Sequence, residues 1–264
     1  MPYNGYEAAY FRHARVVYES VDVLEVFGGL RERLAREHQR LVREADLVVA
    51  TADQLAEEII GTRPDVLLVP NGVDFDHFAA PGIQPDPAIR ELGDSIIGYF
   101  GALARWIDYD LMLRTARSRP DWHFVLIGPD HDGTAAASGL GAIPNIHLLG
   151  PRPYAELPAT LAAFDVATIP FVVDDLTNAI SPLKLFEYMA GGCPIVTTAM
   201  HECRKESVVR IAETPGDWIV QIEEALREGR SPEEVRKLHH TASQQTWKKR
   251  AETILDRLPP RKPA

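Results

Sequence analysis

Apolar residues in this chain occur in short continuous runs, which alternate with longer segments where they recur at helical spacing. A short apolar run bounded by polar or turn-forming residues is typical of a buried strand, and recurrence every three or four residues is typical of an amphipathic helix. The runs predict strands over residues 15–20, 46–50, 66–74, 96–101, 122–128, 145–150, 165–170, 194–198 and 208–212. The periodic segments predict helices over residues 30–43, 52–60, 108–119, 154–163, 182–190, 216–228, 231–243 and 244–258.

This alternation of strand and helix predicts the α/β class, with a doubly wound, mostly parallel sheet. Residues 79–93 interrupt the series with proline, glycine and aspartate, a composition typical of a linker between domains. The predicted domains are therefore residues 1–80 and 81–243, followed by a last helix and tail over 244–264. Ligands of such sheets bind outside the carboxyl ends of the strands, and the segment after residue 170 follows one of these ends.

The segment from residue 174 to 198, DDLTNAISPLKLFEYMAGGCPIVTT, predicts a loop, a short helix and a strand. We expect Ser181 to cap the helix with its hydroxyl, as Thr51 caps the helix that begins near residue 52, and Pro182 suits the first helical position. The free amides and positive dipole end of such a helix favour an anion, and a phosphate in particular. Lys184 adds a positive charge in the first turn, and Glu187 can accept hydrogen bonds from sugar hydroxyls one turn later.

Spacing alone leaves two interpretations of this helix open. Lys184 and Glu187 are three positions apart, so they could form a solvated ion pair worth only roughly 0.2–0.5 kcal/mol. A lysine at a helix N-terminus opposes the helix dipole, however, and therefore calls for an anion or another compensating group nearby. The second interpretation is a site for a diphosphate and a ribose.

Composition and charge narrow the function classes. The chain has 264 residues, of which 45% are hydrophobic, and its formal net charge of −10 argues against a nucleic-acid-binding protein. Its two cysteines, Cys193 and Cys203, have no zinc-type spacing, and residues 1–20 lack the apolar core of a signal peptide. No apolar run approaches the roughly 18 residues of a membrane span. We therefore expect a reduced, cytoplasmic protein without a transmembrane segment.

Two D-x-D triplets, residues 108–110 and 130–132, raise the possibility of a metal site. In the first triplet Asp108 precedes a predicted helix, where it suits the N-cap position and Asp110 favours the helix dipole. The second triplet lies in a polar loop. Paired carboxylates at this spacing are common by chance, so we expect no metal at either triplet.

The ordered motifs of the chain resemble those of a known family. The segment SPLKLFEYMAGGCPIVTT at 181–198 is similar to the donor-binding signature of GT-B glycosyltransferases of the GT4 type. Similar segments precede it in the family's order: ADLVVATADQLAEEI, VPNGVDFDHF, IIGYFGAL, WHFVLIGP and NIHLLGPRPYAELPATLAAFDVATIPF. The resemblance covers about residues 15–258. It implies a Rossmann-like C-terminal GT-B domain, together with a partial N-terminal α/β domain that lacks most of the acceptor-binding part.

The resemblance assigns donor-binding roles to residues of the central helix. Glu187 would bond the hydroxyls of the nucleotide ribose, and Lys184 would meet the phosphates. The amides around Ser181, Pro182 and Leu183 would cradle the diphosphate. Because these groups neutralise the diphosphate themselves, the resemblance implies no metal and no cofactor beyond the nucleotide-sugar substrate.

The resemblance also assigns three residues outside that helix. The turn after the strand at 96–101 approaches the donor phosphates, which makes Gly101 and Arg105 candidates. The loop at 150–153 flanks the base in the family, and for Arg152 the alternative of a surface arginine is favoured.

The sequence departs from the family pattern at a position that often carries a glutamate in retaining members. Retaining members often carry a second glutamate eight positions before the one at Glu187, and this chain has Ala179 there. Thr177 or Asn178 is then the candidate to contact the transferred sugar, and the catalytic residues stay unassigned.

Two functions follow as hypotheses. The first is an enzyme that transfers a sugar from a nucleotide-diphosphate sugar to a glycan or lipid-linked acceptor, in the cytoplasm or at the inner face of the membrane. The second is a non-catalytic module that binds a nucleotide sugar or only a partner chain. Under either hypothesis, a separately encoded N-terminal half is a candidate partner.

Overall fold

Nine short strands and thirteen α-helices make up the described part of the computed structural model, which comprises residues 15–23 and 31–260. Three predictions fall at least partly on residues outside this part. They concern the first 14 residues of the segment 1–20, the start of the first helix at residue 30, and the tail at 261–264. In chain order the elements are β1 (Val17–Ser20), α1 (Arg31–Glu44), β2 (Leu47–Ala50), α2 (Asp53–Ile60), β3 (Leu67–Leu68), α3 (Phe75–Phe78), α4 (Pro87–Arg90), β4 (Ile96–Phe100), α5 (Tyr109–Ser118), β5 (His123–Ile127), α6 (Thr134–Ala137), β6 (Ile146–Gly150), α7 (Leu157–Ala162), β7 (Val166–Ile169), α8 (Asp175–Asn178), α9 (Leu183–Ala190), β8 (Ile195–Thr198), α10 (His201–Arg204), β9 (Arg210–Ala212), α11 (Pro215–Glu228), α12 (Pro232–Gln244) and α13 (Trp247–Arg257).

The elements form two units, each with its own parallel sheet. The smaller unit comprises the chain up to Gly72, residues 178–181 and the chain from Trp247 onward, and its sheet has the strand order β1-β2-β3. The larger unit comprises residues 73–177 and 182–246 and carries a six-stranded sheet. The α/β class with parallel sheets is therefore confirmed, whereas the predicted domain limits at 80 and 243 stay predictions.

The large sheet has the strand order β6-β5-β4-β7-β8-β9, and every neighbouring pair is parallel. The order reverses between β4 and β7, and ligands of doubly wound sheets bind outside the carboxyl ends of the strands near such a reversal. All residues of β4, β7 and β8 are buried. Strands covered on both faces are what a parallel sheet flanked by helices requires, and they explain the continuous apolar runs in the sequence.

Residues 79–93, predicted as a linker, are instead folded into the larger unit. Asp86 caps α4 by accepting the amide of Ala88, and Ile89 is fully buried. Arg90 pairs with Asp165 at 2.9 Å. The proline and glycine content therefore marks tight turns around one short helix, which packs through a single apolar side chain.

Of the three predicted helix caps, Asp108 is confirmed, whereas Thr51 and Ser181 are wrong. Asp108 caps α5 through a 2.8 Å bond from the Leu111 amide. The cap position of α2 is Ala52, and the Thr51 hydroxyl donates to the Ser20 carbonyl instead. Hydroxyl side chains near a helix start can bond other backbone groups, and the Thr51 hydroxyl bonds the distant Ser20 carbonyl in place of its own helix.

The central helix α9 begins one residue later than the predicted cap implies. Its cap position is Pro182, without a side-chain bond, and the hydroxyl of Ser181 accepts the Asn71 amide at 3.2 Å within the smaller unit. The predicted glycine stop is confirmed: Gly191 is the C-cap, and Gly192 has φ +61°. A left-handed glycine after a helix is the common way to end it.

Arg230 joins three carbonyl groups beneath this helix. Its guanidinium donates to the carbonyls of Gly191, Leu161 and Phe164 at 2.9, 2.6 and 2.9 Å. These carbonyls lie at or just beyond the C-terminal ends of α9 and α7, where a helix leaves backbone acceptors without i+4 partners. One side chain thus satisfies acceptors from two helices.

We expect Arg230→Ala to lower the free energy of unfolding by about 2–4 kcal/mol, because it removes three charge-assisted hydrogen bonds. Urea denaturation monitored by circular dichroism measures the change. Arg227→Ala, an exposed arginine of α11, is the control and should stay within about 0.5 kcal/mol of the native chain. Equal losses in the two variants would contradict the role given to Arg230.

Among the helices of the described residues, none combines the length and the hydropathy that spanning a membrane requires.

Candidate functional site

A crevice of about 290 Å³ opens at the carboxyl ends of β4 and β5, and all of its lining residues belong to the larger unit. The strand ends contribute backbone from residues 100–102 and 127–129, and α9 closes one wall. The lining residues are Phe100, Gly101, Ala102, Ile127, Gly128, Pro129, Pro151, Arg152, Tyr154, Leu157, Leu183, Lys184 and Glu187. The crevice therefore lies at the carboxyl edge of the sheet, beside β4, one of the two strands at the reversal of strand order.

Two glycines allow the strand ends to approach one another and Lys184. Gly101 has φ +137° and Gly128 has φ +150°, conformations that other residues rarely adopt. A Cβ atom at Gly128 would lie 1.9 Å from the carbonyl oxygen of Gly101, and a Cβ atom at Gly101 would lie 2.8 Å from Cε of Lys184. The absence of side chains here leaves backbone exposed to the crevice, as close contact with a phosphate requires.

Lys184 lies in the first turn of α9 and is flanked by two aromatic rings. Its Nζ is 5.4 Å from the ring centre of Tyr99 and 4.9 Å from that of Phe171. Burial lowers its pKa to about 8, against the charge of Glu187, which raises it. Ring faces attract a cation only weakly compared with a carboxylate at contact distance. At neutral pH this ammonium group is therefore charged and only partly compensated.

Glu187 faces the same crevice one turn further along α9. It is 5% exposed, and burial raises its pKa to about 7, against the charge of Lys184, which lowers it. Within residues 15–23 and 31–260, the structure gives neither Glu187 nor Lys184 a hydrogen bond or an ion pair shorter than 4 Å. Both side chains thus lie in a largely buried site and have polar atoms that can still form hydrogen bonds. This excludes the interpretation of a solvated ion pair.

Tyr154 forms part of the opposite wall, and the sequence reasoning missed it. Its ring stacks on His77 at 4.6 Å and meets Phe78 edge to face at 5.7 Å. The His77 ring nitrogen Nε2 also lies 3.1 Å from the Tyr154 carbonyl oxygen. Burial raises the pKa of Tyr154 to about 12, and the charge of Glu187 adds to the shift. An exposed aromatic ring, buttressed from behind, offers a flat face to a planar ligand.

Arg152 lines the crevice, but its guanidinium is already engaged. It forms an ion pair with Asp86 and a 3.1 Å bond to the Thr160 hydroxyl. Arg105 is exposed and does not line the crevice, and its backbone amide donates to Asp132 at 3.0 Å. The donor roles predicted for these two arginines stay predictions.

The remaining predicted donor residues divide between the units. Pro182 and Leu183 start α9, and Leu183 lines the crevice with 39% of its surface exposed. Ser181 and Asn178 belong to the smaller unit, where the Ser181 carbonyl accepts a 2.7 Å bond from the Asn71 side chain. Ala179, at the position where the family often has an acid, is fully buried.

The carboxylates of the second D-x-D triplet bond to the backbone of their own loop. Asp130 accepts the amides of Ala135 and Ala136, and Asp132 accepts the amide and hydroxyl of Thr134. These bonds order the turn before α6.

The fold and the crevice define a doubly wound α/β protein with its candidate site at the strand-order reversal. The chain belongs to the family of glycosyl transferases group 1, whose family model matches residues 94–228. It is 29% identical over 198 residues to a putative teichuronic acid biosynthesis glycosyltransferase, TuaH, of Bacillus subtilis (strain 168). That match covers 71% of this chain and 50% of the relative, so the chain spans about half the length of the curated relative.

Solved structures show the same fold at low identity. Anabaena Alr3699/HepE, in complex with UDP and glucose, superposes with a TM-score of 0.71 at 18% identity, over 94% of this chain and 72% of that one. Sucrose-phosphate synthase (tll1590) from Thermosynechococcus elongatus superposes with a TM-score of 0.69 at 16% identity, over 97% and 70%. The GT-B resemblance drawn from the sequence is thereby confirmed at the level of the fold.

Proposed function

We propose that this chain transfers a sugar from a nucleotide-diphosphate sugar to a glycan or lipid-linked acceptor, and that the crevice binds the donor. Lys184 carries the proposal, since it is a charged group in the first turn of a helix with aromatic rings as its close neighbours. A diphosphate would supply the anion that this position calls for. Family membership and the complex of Anabaena Alr3699/HepE with UDP and glucose support the same ligand class.

The chemistry proposed for the site is electrostatic. Lys184 and the amides at the start of α9 would stabilise the charge that develops on the leaving diphosphate, as preorganised donors do in other transferases. Glu187 would accept hydrogen bonds from the ribose, and the ring of Tyr154 would lie against the base. The residues present supply these interactions without a metal ion, and we extend the proposal to metal-independent transfer.

Location and partners belong to the proposal as well. An acceptor on a glycan or lipid carrier would place the protein in the cytoplasm, at the inner face of the membrane. The partners in this proposal are the nucleotide sugar and that acceptor.

The test is calorimetric titration with UDP, GDP and ADP, followed by an assay for UDP release from UDP-glucose with and without glycan acceptors. The proposal predicts binding of a nucleoside diphosphate and acceptor-dependent turnover. Binding without turnover would favour the non-catalytic module. If no nucleoside diphosphate binds, the proposal is overturned and only the partner-binding module is left.

A further inference from the structure

Helix α3 lies behind one wall of the crevice and lines none of it itself. It ends the segment VPNGVDFDHF at residues 69–78, which resembles the family pattern but carries none of the donor-binding roles that the resemblance assigns. Asp74 caps this four-residue helix by accepting the amide of His77 at 3.3 Å. The last two residues of α3, His77 and Phe78, both contact Tyr154, which does line the crevice.

The position of α3 is fixed by packing inside the larger unit. Phe78 is 2% exposed, and its ring stacks with that of Phe100 at 6.3 Å. At the other end of the helix, the ring of Phe75 meets the ring of His239, on α12, edge to face at 5.7 Å. A short helix anchored at both ends offers its remaining side chains at defined places, and His77 is one of them.

His77 holds Tyr154 through both its ring and its backbone. The two rings are stacked, with centres 4.6 Å apart and planes 16° apart. The Nε2 atom of His77 lies 3.1 Å from the carbonyl oxygen of Tyr154, and a carbonyl only accepts, so Nε2 carries the proton and donates. Among the described residues, the ring contacts of Tyr154 come from α3 alone, and its hydroxyl has no hydrogen bond.

The ring centres show that the far face of Tyr154 is left open. Phe78 stands nearly perpendicular to both stacked rings, 5.1 Å from His77 and 5.7 Å from Tyr154. With 4.6 Å between the stacked rings, the three distances form a nearly equilateral triangle, so Phe78 lies beside the stack. The face of Tyr154 that points away from His77 therefore carries no ring from the described chain.

The open side of Tyr154 belongs to the crevice. Tyr154 is 47% exposed and lines the crevice together with Glu187. Burial, and then the charge of Glu187, raises the pKa of Tyr154, so its hydroxyl lies within electrostatic range of the carboxylate that faces the crevice. A planar ligand in the crevice can thus meet a flat aromatic surface whose orientation is already set.

Preordering of this surface has a consequence for affinity. A side chain that a ligand must immobilise costs roughly twofold to tenfold in affinity, and a side chain held beforehand does not. We propose that His77 is a positioning residue of the donor site, which holds Tyr154 as a fixed platform for the base of the nucleotide. Helix α3 then governs recognition of the nucleoside and not of the phosphates. This role rests on the proposed function, since it takes the ligand of the crevice to be a nucleotide.

The test is calorimetric titration of the native chain and of His77→Ala with UDP, GDP and ADP, and with inorganic pyrophosphate, which has no base. We expect His77→Ala to weaken binding of the nucleoside diphosphate by about threefold to tenfold, because the ligand must then order Tyr154. Pyrophosphate affinity should stay within about twofold of the native value, which also shows that the variant is folded. His240→Ala, at an exposed site of α12 outside the crevice, is the control and should bind every ligand like the native chain.

A double-mutant cycle shows whether His77 acts through Tyr154. Tyr154→Ala should weaken nucleoside diphosphate binding by itself, and His77→Ala added to it should cause no further loss. Should His77→Ala not fold, His77→Leu takes its place, because leucine fills the space but has neither a planar ring nor a donor.

Equal losses for the nucleoside diphosphate and pyrophosphate, or a further loss in the Tyr154→Ala background, would mean that His77 only supports the fold, and would overturn the proposal. Unchanged nucleoside diphosphate affinity in His77→Ala would overturn it as well. Any of these results in a chain that binds a nucleoside diphosphate rejects the role of His77 alone. A native chain that binds none rejects the proposed function, and the role of His77 with it.

Discussion

Replacement of Lys184 by methionine is expected to weaken UDP binding about tenfold to a hundredfold. A hydrogen bond to a charged group contributes about 1.5–3 kcal/mol, and each 1.4 kcal/mol is a factor of about ten in affinity. Methionine retains the length and the contacts with Tyr99 and Phe171. Isothermal titration calorimetry at pH 7, where the native lysine is charged, measures the loss.

Lys237→Met is the matched control, because Lys237 is half exposed on α12 and pairs with Glu233 and Glu234 away from the crevice. It should bind UDP like the native chain. The native affinity should also fall as pH rises through about 8, the pKa that burial gives Lys184, and the methionine variant should lack this fall. Equal UDP affinity in native and Lys184→Met chains would reject the donor site.

Much of the site's scaffold could be predicted from the sequence because its signals are local. The buried strands β4, β7 and β8 read as continuous apolar runs, and the glycine pair at 191–192 ends α9 as expected. The rule for parallel sheets then places Lys184 and Glu187 at a strand end without any knowledge of distant contacts.

Features that depend on distant partners escaped prediction. The Ser181 hydroxyl bonds to Asn71, a hundred and ten positions away, in place of its own helix. Tyr154 reaches the crevice because His77 and Phe78 support it, and no pattern near residue 154 indicates those partners. The need for glycine at Gly128 likewise arises from the carbonyl of Gly101, on the neighbouring strand.

The electrostatics of the site also arise from packing. Sequence spacing treats Lys184 and Glu187 as a surface pair, but burial shifts both pKa values toward the neutral forms. Desolvation outweighs the attraction between them, since each group loses water and gains only one partly screened opposite charge. The unliganded site therefore carries a desolvation cost, and a ligand that bonds both groups recovers part of this cost.

This cost predicts that the native chain loses stability relative to Glu187→Gln as pH rises from 5 to 7, by about 2 kcal/mol. The folded-state pKa of Glu187 is raised from 4.5 to about 7, chiefly by burial. Between these values the folded state retains a proton that the unfolded state releases. The contribution to stability is therefore fully present below pH 4.5 and is lost as pH rises through 7. Glutamine does not titrate, so its contribution is constant.

Urea unfolding of both chains at pH 5, 6 and 7 measures the two free energies of unfolding. Subtracting one from the other cancels the contribution of groups that titrate alike in the two chains. His147, whose pKa burial lowers, cancels in this way. Work at or below pH 7 also keeps Lys184 charged in the native chain, because its pKa is about 8. A difference that does not change with pH would mean that Glu187 is ionised and solvated throughout. Its carboxylate would then carry no desolvation cost that a ligand could offset, and the ribose-binding role would lose its physical basis.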